Sequence, residues 1–212
     1  MQLKLLSVNI ARPKIIATIN GEDIYSAIGK KPVDQPVFVS INGIEGDEVA
    51  DPTVHGGPDK AVYAYPADNW EWWVREHGIP CARATFGENL TLEGADETQI
   101  RIGDRFQWGD CVLEVAQPRG PCFKLGIYTK NPHAPQIMTL SGKTGWYLRV
   151  VREGLSGATV TRIFESTPPT VKEALFARHN PAAPKELVAR VFAAPAFAEN
   201  WRQGVPKDRQ ST

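Results

Sequence analysis

The sequence predicts a mainly β protein of the α+β class that ends in a short helical segment. Up to about residue 165 the apolar residues run in short stretches separated by Gly, Pro, Asn and Asp, which is typical of short strands joined by turns. After Pro168-Pro169 they recur at helical spacing instead. With 212 residues the chain is long enough to bury a sizeable core.

The amino-terminal half supplies the first predicted strands. "KLLSVNIA" and "KIIATI" lie on either side of Arg12-Pro13, "VFVSI" precedes "NGIEGD", and "KAVYAY" follows a double glycine. Each stretch is rich in β-branched or aromatic residues and is bounded by turn formers. We therefore expect each of them to be a strand.

Two further strand pairs are predicted beyond residue 100. "DRFQWGDCVLEVAQ" has the pattern of a hairpin, because Gly109-Asp110 can supply the positive φ angles of a tight two-residue turn. "GWYLRVVREG" and "ATVTRIF" are expected to pair with each other.

One helix is predicted to interrupt the strands, within "PADNWEWWVREHG". Asp68 and Glu71 have the spacing of a capping box, and Gly78 is placed to end the helix. Its apolar face consists of Trp70, Trp73, Val74 and His77. We interpret the tryptophans as core residues, with ligand stacking as the alternative.

The carboxyl-terminal segment is predicted to form three short helices. Thr170 and Glu173 repeat the capping-box spacing, Pro184 suits a first helical turn, and "KELVARVF" and "AFAENWR" have helical apolar patterns. This gives a β domain at 1–167 and a helical extension at 168–212. So short an extension rarely folds alone, so we expect it to pack on the β domain or on a second subunit, which leaves a homodimer possible.

Composition limits the partners and the compartment. Lys and Arg total 24, as do Asp and Glu, so no overall field favours nucleic acid, and the scattered charge of the helical extension does not favour DNA binding. No apolar run approaches the roughly 18 residues of a membrane span. Three cysteines without C-x-x-C spacing, together with an amino terminus unlike a signal peptide, predict a cytoplasmic protein.

Several common sites are absent from the sequence. The four histidines are separated by 22 residues or more, which does not suit a structural zinc site. The chain has no G-x-S-x-G, Walker A or G-x-G-x-x-G motif, so a nucleophile elbow, a P-loop and a Rossmann fingerprint are not expected. The remaining candidate functional residues lie in several separate segments of the sequence.

The first candidate segments contain glycines and polar side chains beside predicted strands. Gly56-Gly57 would let the backbone approach a ligand, and Lys60 adds a positive charge, although the same pattern fits a turn with a surface lysine. Tyr63 could line a pocket or be half buried. Asn89, just before another strand, offers both a donor and an acceptor but is also a common turn residue.

The most reactive candidate is Cys122 in "QPRGPCFKLG". Arg119 and Lys124 are close in sequence, and positive charge favours the nucleophilic, metal-binding thiolate or could hold a phosphate. An inert, half-buried cysteine is equally consistent with the stretch. Arg149, on an alternating strand, needs an anion or an acidic partner if it points inward and needs neither if it points outward.

Taken in order, "GIEGDEVADPTVHGGPDKAVYAYP", "GENLT", "IGDRF", "QPRGPCFKL" and "GWYLRVVREG" resemble the MOSC family, named for the carboxy-terminal domain of molybdenum cofactor sulfurase. The helical tail is similar to an extension found in some members. The resemblance implies an irregular closed β-barrel that binds the molybdenum cofactor (molybdopterin), with Cys122 as the metal ligand. It also implies reduction of N-hydroxylated compounds such as 6-hydroxylaminopurine.

On this interpretation the catalytic residue is Cys122, and an N-hydroxylated small molecule and a separate electron-donating reductase are the partners. Pyridoxal phosphate is not required. The residues expected to hold the cofactor or the substrate are His55, Gly56, Gly57, Lys60, Tyr63, Asn89, Arg119, Lys124 and Arg149. Asp47 and Asp51 are equally consistent with a structural role. The alternative function is a module that carries the cofactor, or sulfur as a Cys122 persulfide, without turnover.

Overall fold

The computed structural model describes residues 1–204, which contain thirteen strands and seven α-helices. The strands are β1 (Gln2–Ile10), β2 (Lys14–Ile19), β3 (Glu22–Ser26), β4 (Lys31–Val33), β5 (Phe38–Ser40), β6 (Gly43–Ile44), β7 (Val62–Pro66), β8 (Leu90–Glu93), β9 (Arg105–Trp108), β10 (Cys111–Pro118), β11 (Trp146–Arg152), β12 (Gly154–Leu155) and β13 (Val160–Phe164). The helices are α1 (Pro52–His55), α2 (Trp70–His77), α3 (Phe123–Thr129), α4 (Ala134–Ser141), α5 (Val171–His179), α6 (Lys185–Ala193) and α7 (Glu199–Gln203).

Seven of the strands in residues 1–204 close into a barrel, in the order β13-β9-β10-β11-β7-β8-β1. Pairing of β13 with the beginning of β1 completes the ring, and β4 pairs antiparallel with the end of β1. Closure leaves no free edge in the ring, which removes the main route to strand-mediated aggregation. The predicted mainly β fold with a closed, irregular barrel is confirmed.

The only parallel pair in the described sheet joins β7 to β8. Parallel neighbours need a crossover connection, and α2 lies in it. Gly78 ends α2 with a left-handed φ of 62°, as predicted. The predicted capping box is wrong, because Asn69 precedes the helix and Asp68 accepts a hydrogen bond from the Gly94 backbone instead. Trp73 is fully buried, whereas Val74 is half exposed and lies outside the core.

The predicted β9–β10 hairpin forms, and Gly109 has a positive φ of 61°, but Asp110 does not adopt the positive φ that the prediction also assigned to it. The expected pairing of "GWYLRVVREG" with "ATVTRIF" is wrong: β11 pairs with β10 and β7, while β13 pairs with β9 and β1. Barrel closure places strands that follow each other in sequence at separate positions in the ring.

Strand β7 contributes to two apolar clusters. Val62 and Ala64 pack in the cluster that fills the barrel and continues under the carboxyl-terminal helices, while Tyr63 and Tyr65 pack in a second cluster with Trp73 and α4. Alternation along a strand places successive side chains on opposite faces. Both faces of β7 are therefore buried, as are all five of its residues.

The carboxyl-terminal helices pack on the barrel. The Thr170–Glu173 capping box forms as predicted, and side chains from α5, α6 and α7 join the barrel cluster. A bulge in β10 between Val115 and Gln117 leaves the Ala116 carbonyl to accept a hydrogen bond from the Ala198 backbone at 3.1 Å. The boundary between 167 and 168 stays a prediction, and residues 205–212 of the extension lie outside the described chain.

None of the helices in residues 1–204 combines the length and the apolar character needed to cross a membrane.

Candidate functional site

A cavity of about 350 Å³ lies where loops from several parts of the chain meet. Its wall is built from the β3–β4 connection, the stretch that follows β6, the turn after α1, the beginning of β7, the residues before β8 and the loop after β10. Its size is typical of a small-molecule or cofactor pocket. The predicted site residues that line it are His55, Gly56, Gly57, Lys60, Tyr63, Asn89, Arg119, Cys122 and Lys124.

Of the three cysteines, Cys122 lines this cavity and the other two do not. It is half buried and immediately precedes α3, and its carbonyl accepts a hydrogen bond from the Leu125 backbone at 3.0 Å. Burial raises the pKa of Cys81 to about 12 and that of Cys111 to about 11. Those two thiols stay protonated at neutral pH and donate to the carbonyls of Ile79 and Gly154.

Arg119 is a buried cation on the wall of the cavity, with only 7% of its surface exposed. Its guanidinium lies 4.7 Å from the centre of the Tyr63 ring, donates to the Tyr63 hydroxyl at 3.3 Å and contacts the Met138 sulfur at 3.6 Å. Among residues 1–204 no carboxylate forms an ion pair with it, and the groups that favour its charged form are Tyr63, Tyr147 and Cys122. A guanidinium stays charged, so this wall carries a positive charge that the described protein does not neutralise.

Three more of the predicted basic residues line the same cavity: His55, Lys60 and Lys124. Burial lowers the pKa of His55, and the positive charges of Arg119, Lys124 and Lys60 lower it further against the opposing effect of Asp51. The imidazole is therefore mainly neutral near pH 7. Burial also lowers the pKa of Lys60, whose ammonium donates to the Val54 carbonyl at 2.5 Å.

The double glycine is required by the turn between α1 and β7. Gly57 has a φ of 99°, which L side chains rarely adopt. A Cβ on Gly56 would come within 2.6 Å of the Pro52 carbonyl oxygen, so the backbone here packs too closely for any other residue. Asp51 caps α1 through the Thr53 backbone at 3.0 Å. These contacts fix the turn that carries His55 and Lys60.

Asn89 lines the cavity, but its amide is occupied by the protein. Its oxygen accepts from the Tyr63 backbone at 3.0 Å, and its nitrogen donates to the Asn9 carbonyl at 3.1 Å and to Asp47 at 2.8 Å. Asn89 therefore joins three segments of the wall. Asp47 likewise serves the structure, since it also accepts from the Ala11 backbone at 2.8 Å.

Lys30 is a cavity residue that the sequence reasoning missed. It follows β3, is 8% exposed, and forms an ion pair with Asp47. The stretch "IGKK" contains two adjacent lysines, of which Lys31 is exposed. No motif marks one lysine as buried, because the distinction depends on Asp47, which is 17 residues further along the chain.

Arg149 lies outside the set of residues that line the cavity. It donates to Asp59 and to Glu114, each at 2.7 Å, and Glu114 also binds Arg105 at 2.6 Å. The acidic partners that the sequence reasoning allowed for are thus present. Because Asp59 directly precedes Lys60, the ion pair helps to hold the turn that borders the cavity. These contacts support a structural role for Arg149, and its contact with a cofactor stays a prediction.

A family model, a related sequence and a solved structure all indicate the same family of proteins. The MOSC domain family model matches residues 51–162. Protein YiiM of Escherichia coli (strain K12) is 32% identical over 209 residues, covering 96% of this chain and 92% of that protein. A crystal structure of YiiM from Geobacillus stearothermophilus superposes with a TM-score of 0.80 at 28% identity, covering 99% of this chain and 100% of that one.

A third relative is longer than this chain. A protein named "Reductase" from Gibberella moniliformis (strain M3125 / FGSC 7600) is 39% identical over 154 residues, which cover 71% of this chain but only 27% of that protein.

Proposed function

The chain belongs to the MOSC domain family, and on that basis we propose that it binds a molybdenum–pterin cofactor through Cys122 and catalyses the reduction of N-hydroxylated compounds. The observation that carries the proposal is that one cavity is lined by a half-buried cysteine and by a buried guanidinium that forms no ion pair with a carboxylate of residues 1–204. A thiol offers a metal ligand, and an unneutralised buried cation offers an anion site.

The charge of the cavity fits an anionic cofactor. Burying an unpaired cation is unfavourable unless a ligand neutralises it, and Arg119 is a buried cation without a carboxylate partner in the described part of the chain. Lys60 and Lys124 add two charges on the same cavity wall. A phosphate-bearing pterin would form charge-assisted hydrogen bonds with these groups, which are among the stronger hydrogen bonds in proteins.

The ligand set fits a metal that is held mainly by its cofactor. Within residues 1–204, no group of three His, Cys, Asp or Glu side chains could hold a metal ion. A single soft thiolate suits molybdenum when the dithiolene sulfurs of the pterin supply the other ligands. Once bound, that group supplies two-electron chemistry at the cavity.

The side chains of this protein would then position the reactants. Arg119, Lys60 and Lys124 would bind the anionic groups of the cofactor, and His55, mainly neutral, could donate or accept a hydrogen bond to the pterin or the substrate. The buried Tyr63 and Tyr147 rings would exclude water from the inner wall. Burial raises the pKa of both tyrosines, so their hydroxyls remain protonated, and that of Tyr63 donates to the Thr144 carbonyl at 2.8 Å.

Electrons must come from elsewhere, because the sequence has no recognisable flavin, haem or iron–sulfur motif. We propose a separate reductase as the partner, acting in the cytoplasm. The "Reductase" of Gibberella moniliformis supports the proposal, since a segment similar to this chain forms only 27% of it. In that protein the remaining length could supply what this chain obtains from a partner.

The decisive experiment is elemental analysis for molybdenum after expression in a host that makes the cofactor. We expect molybdenum in the parent, loss of most of it in Cys122→Ser, and retention in Cys81→Ser, a matched control whose hydroxyl can still donate to the Ile79 carbonyl. The parent should reduce 6-hydroxylaminopurine when dithionite is supplied.

Equal molybdenum in the parent and Cys122→Ser would refute the metal-ligand assignment. Molybdenum in the parent without any reduction of the substrate would favour the carrier function instead.

A further inference from the structure

Lys30 lines the cavity and has two side-chain donors without a partner among residues 1–204. Its backbone donates to the Ile28 carbonyl at 2.9 Å, forming a tight turn that directs Lys30 inward while the adjacent Lys31 is exposed. An ammonium has three N–H donors. In the described part of the chain its one side-chain hydrogen bond is to Asp47, so two donors are left on a side chain that is more than nine-tenths buried and lines the cavity.

Asp47 holds this ammonium in a fixed position. Its carboxylate is itself fixed by the Ala11 backbone and by the Asn89 amide, each at 2.8 Å. The contacts come from three separate segments of the chain, so the pair is part of a rigid wall. A lysine held in this way loses less side-chain entropy on binding a ligand than a surface lysine would.

Burial makes the proton of Lys30 easier to release. Burial lowers its pKa and Arg119 lowers it further, whereas Asp47 and Glu88 act in the opposite direction. Glu88 is fully buried and is satisfied by Thr91 and by the backbones of Ala84 and Phe86, so it does not compete for the free donors of Lys30.

Building on the proposed function, we infer that Lys30, positioned by Asp47, donates a hydrogen bond and then a proton to the oxygen of the N–OH group of the substrate. In the overall reaction R–NHOH takes up two electrons and two protons, the N–O bond breaks, and the products are R–NH₂ and water. The electrons come from the reductase, or from dithionite in the assay. Lys30 supplies the proton that lets the oxygen leave as water, and solvent supplies the proton that the nitrogen takes up. Lys30 is then reprotonated from solvent.

The same contact would let the cavity distinguish substrate from product. The oxygen of R–NHOH can accept from Lys30, whereas the amine product lacks that oxygen and leaves the buried donors unpaired. Sites built around such a hydrogen bond discriminate strongly against a ligand that cannot make it. We therefore expect the protein to bind 6-hydroxylaminopurine more tightly than adenine.

The test compares the parent with Lys30→Met, and uses Lys31→Met as the matched control because it makes the same change at the adjacent exposed lysine. Calorimetry without an electron donor should show that the parent prefers 6-hydroxylaminopurine over adenine by roughly tenfold to a hundredfold, as expected for a hydrogen bond from a charged donor. Lys30→Met should lose the preference and Lys31→Met should keep it. With dithionite, kcat should fall by about a hundredfold or more in Lys30→Met.

Two further measurements separate the possible failures. Lys30→Met leaves Asp47 buried without its cation, so the double variant Lys30→Met/Asp47→Asn is measured alongside it and should be folded and equally impaired. Molybdenum content should match the parent in every variant. The inference would be overturned by a Lys30→Met protein that keeps both kcat and the preference for 6-hydroxylaminopurine over adenine. A parent protein without that preference would overturn it as well. A parent that lacks molybdenum would instead contradict the proposed function.

Discussion

The structure predicts that Asn89 stabilises the wall of the cavity, and the substitution Asn89→Ala measures this contribution. The change removes the acceptor of the buried Tyr63 N–H and a donor to Asp47. An unsatisfied buried N–H costs about 1–3 kcal/mol, and a hydrogen bond to a charged group contributes about 1.5–3 kcal/mol. Asp47 keeps its contacts with Lys30 and with the Ala11 backbone, so we take values near the lower end of these two ranges. Their sum predicts a loss of about 3 kcal/mol in the free energy of unfolding.

Urea unfolding followed by circular dichroism measures this loss. With a slope of about 3 kcal/mol per molar urea, the midpoint should fall by about 1 M. Asn42→Ala is the control, because Asn42 lines the same cavity but is exposed, and it should change the free energy of unfolding by less than about 0.5 kcal/mol. A loss below about 1 kcal/mol in Asn89→Ala would refute the reasoning.

Two other predictions concern pH and the helical extension. The pKa of His55 should lie below 6.5 in NMR titrations of the protein without added anion, and inorganic phosphate should raise it by screening the neighbouring cations. Between the lowered pKa and 6.5 the unfolded chain binds more protons than the folded protein, so the free energy of unfolding should rise with pH. A His55 pKa at or above 6.5 before phosphate is added would contradict this account. Thr170→Ala should lower the free energy of unfolding by about 1 kcal/mol, because it removes the hydroxyl that accepts from the Glu173 backbone. Thr170→Ser keeps a hydroxyl at this position and should keep the stability. Equal melting temperatures of the two variants would argue against the cap.

Sequence reasoning succeeded where a feature depends on neighbouring residues. The Gly109 turn, the end of α2 at Gly78 and the Thr170–Glu173 capping box each require only a few adjacent residues, and all three are present. Nine of the ten residues that the family resemblance assigned to the site line the cavity, although their roles toward a cofactor stay a prediction. Local patterns carry this information because turns and caps are set by local backbone chemistry.

The missed features depend on distant contacts or on weak local signals. Helix α3 contains Gly126 in its interior, and a helix interior disfavours glycine; the structure accepts it because a Cβ there would come within 3.1 Å of Pro132. The pairing of β11 and β13 with other strands depends on closure of the ring. Lys30 is distinguished from Lys31 by Asp47 alone, and Arg149 is neutralised by Asp59, 90 residues away.

The hydrogen bond between Ala198 and the bulge at Ala116 bears on where this protein can be divided. The bulge lies three residues before Arg119, and the apolar side chains of α5, α6 and α7 belong to the same cluster as those of the barrel. A fragment ending with the family match at residue 162 would expose that apolar surface and leave the Ala116 carbonyl without its partner. Any larger protein that contains this barrel without the helical extension must therefore cover the same surface with another domain or with a neighbouring subunit.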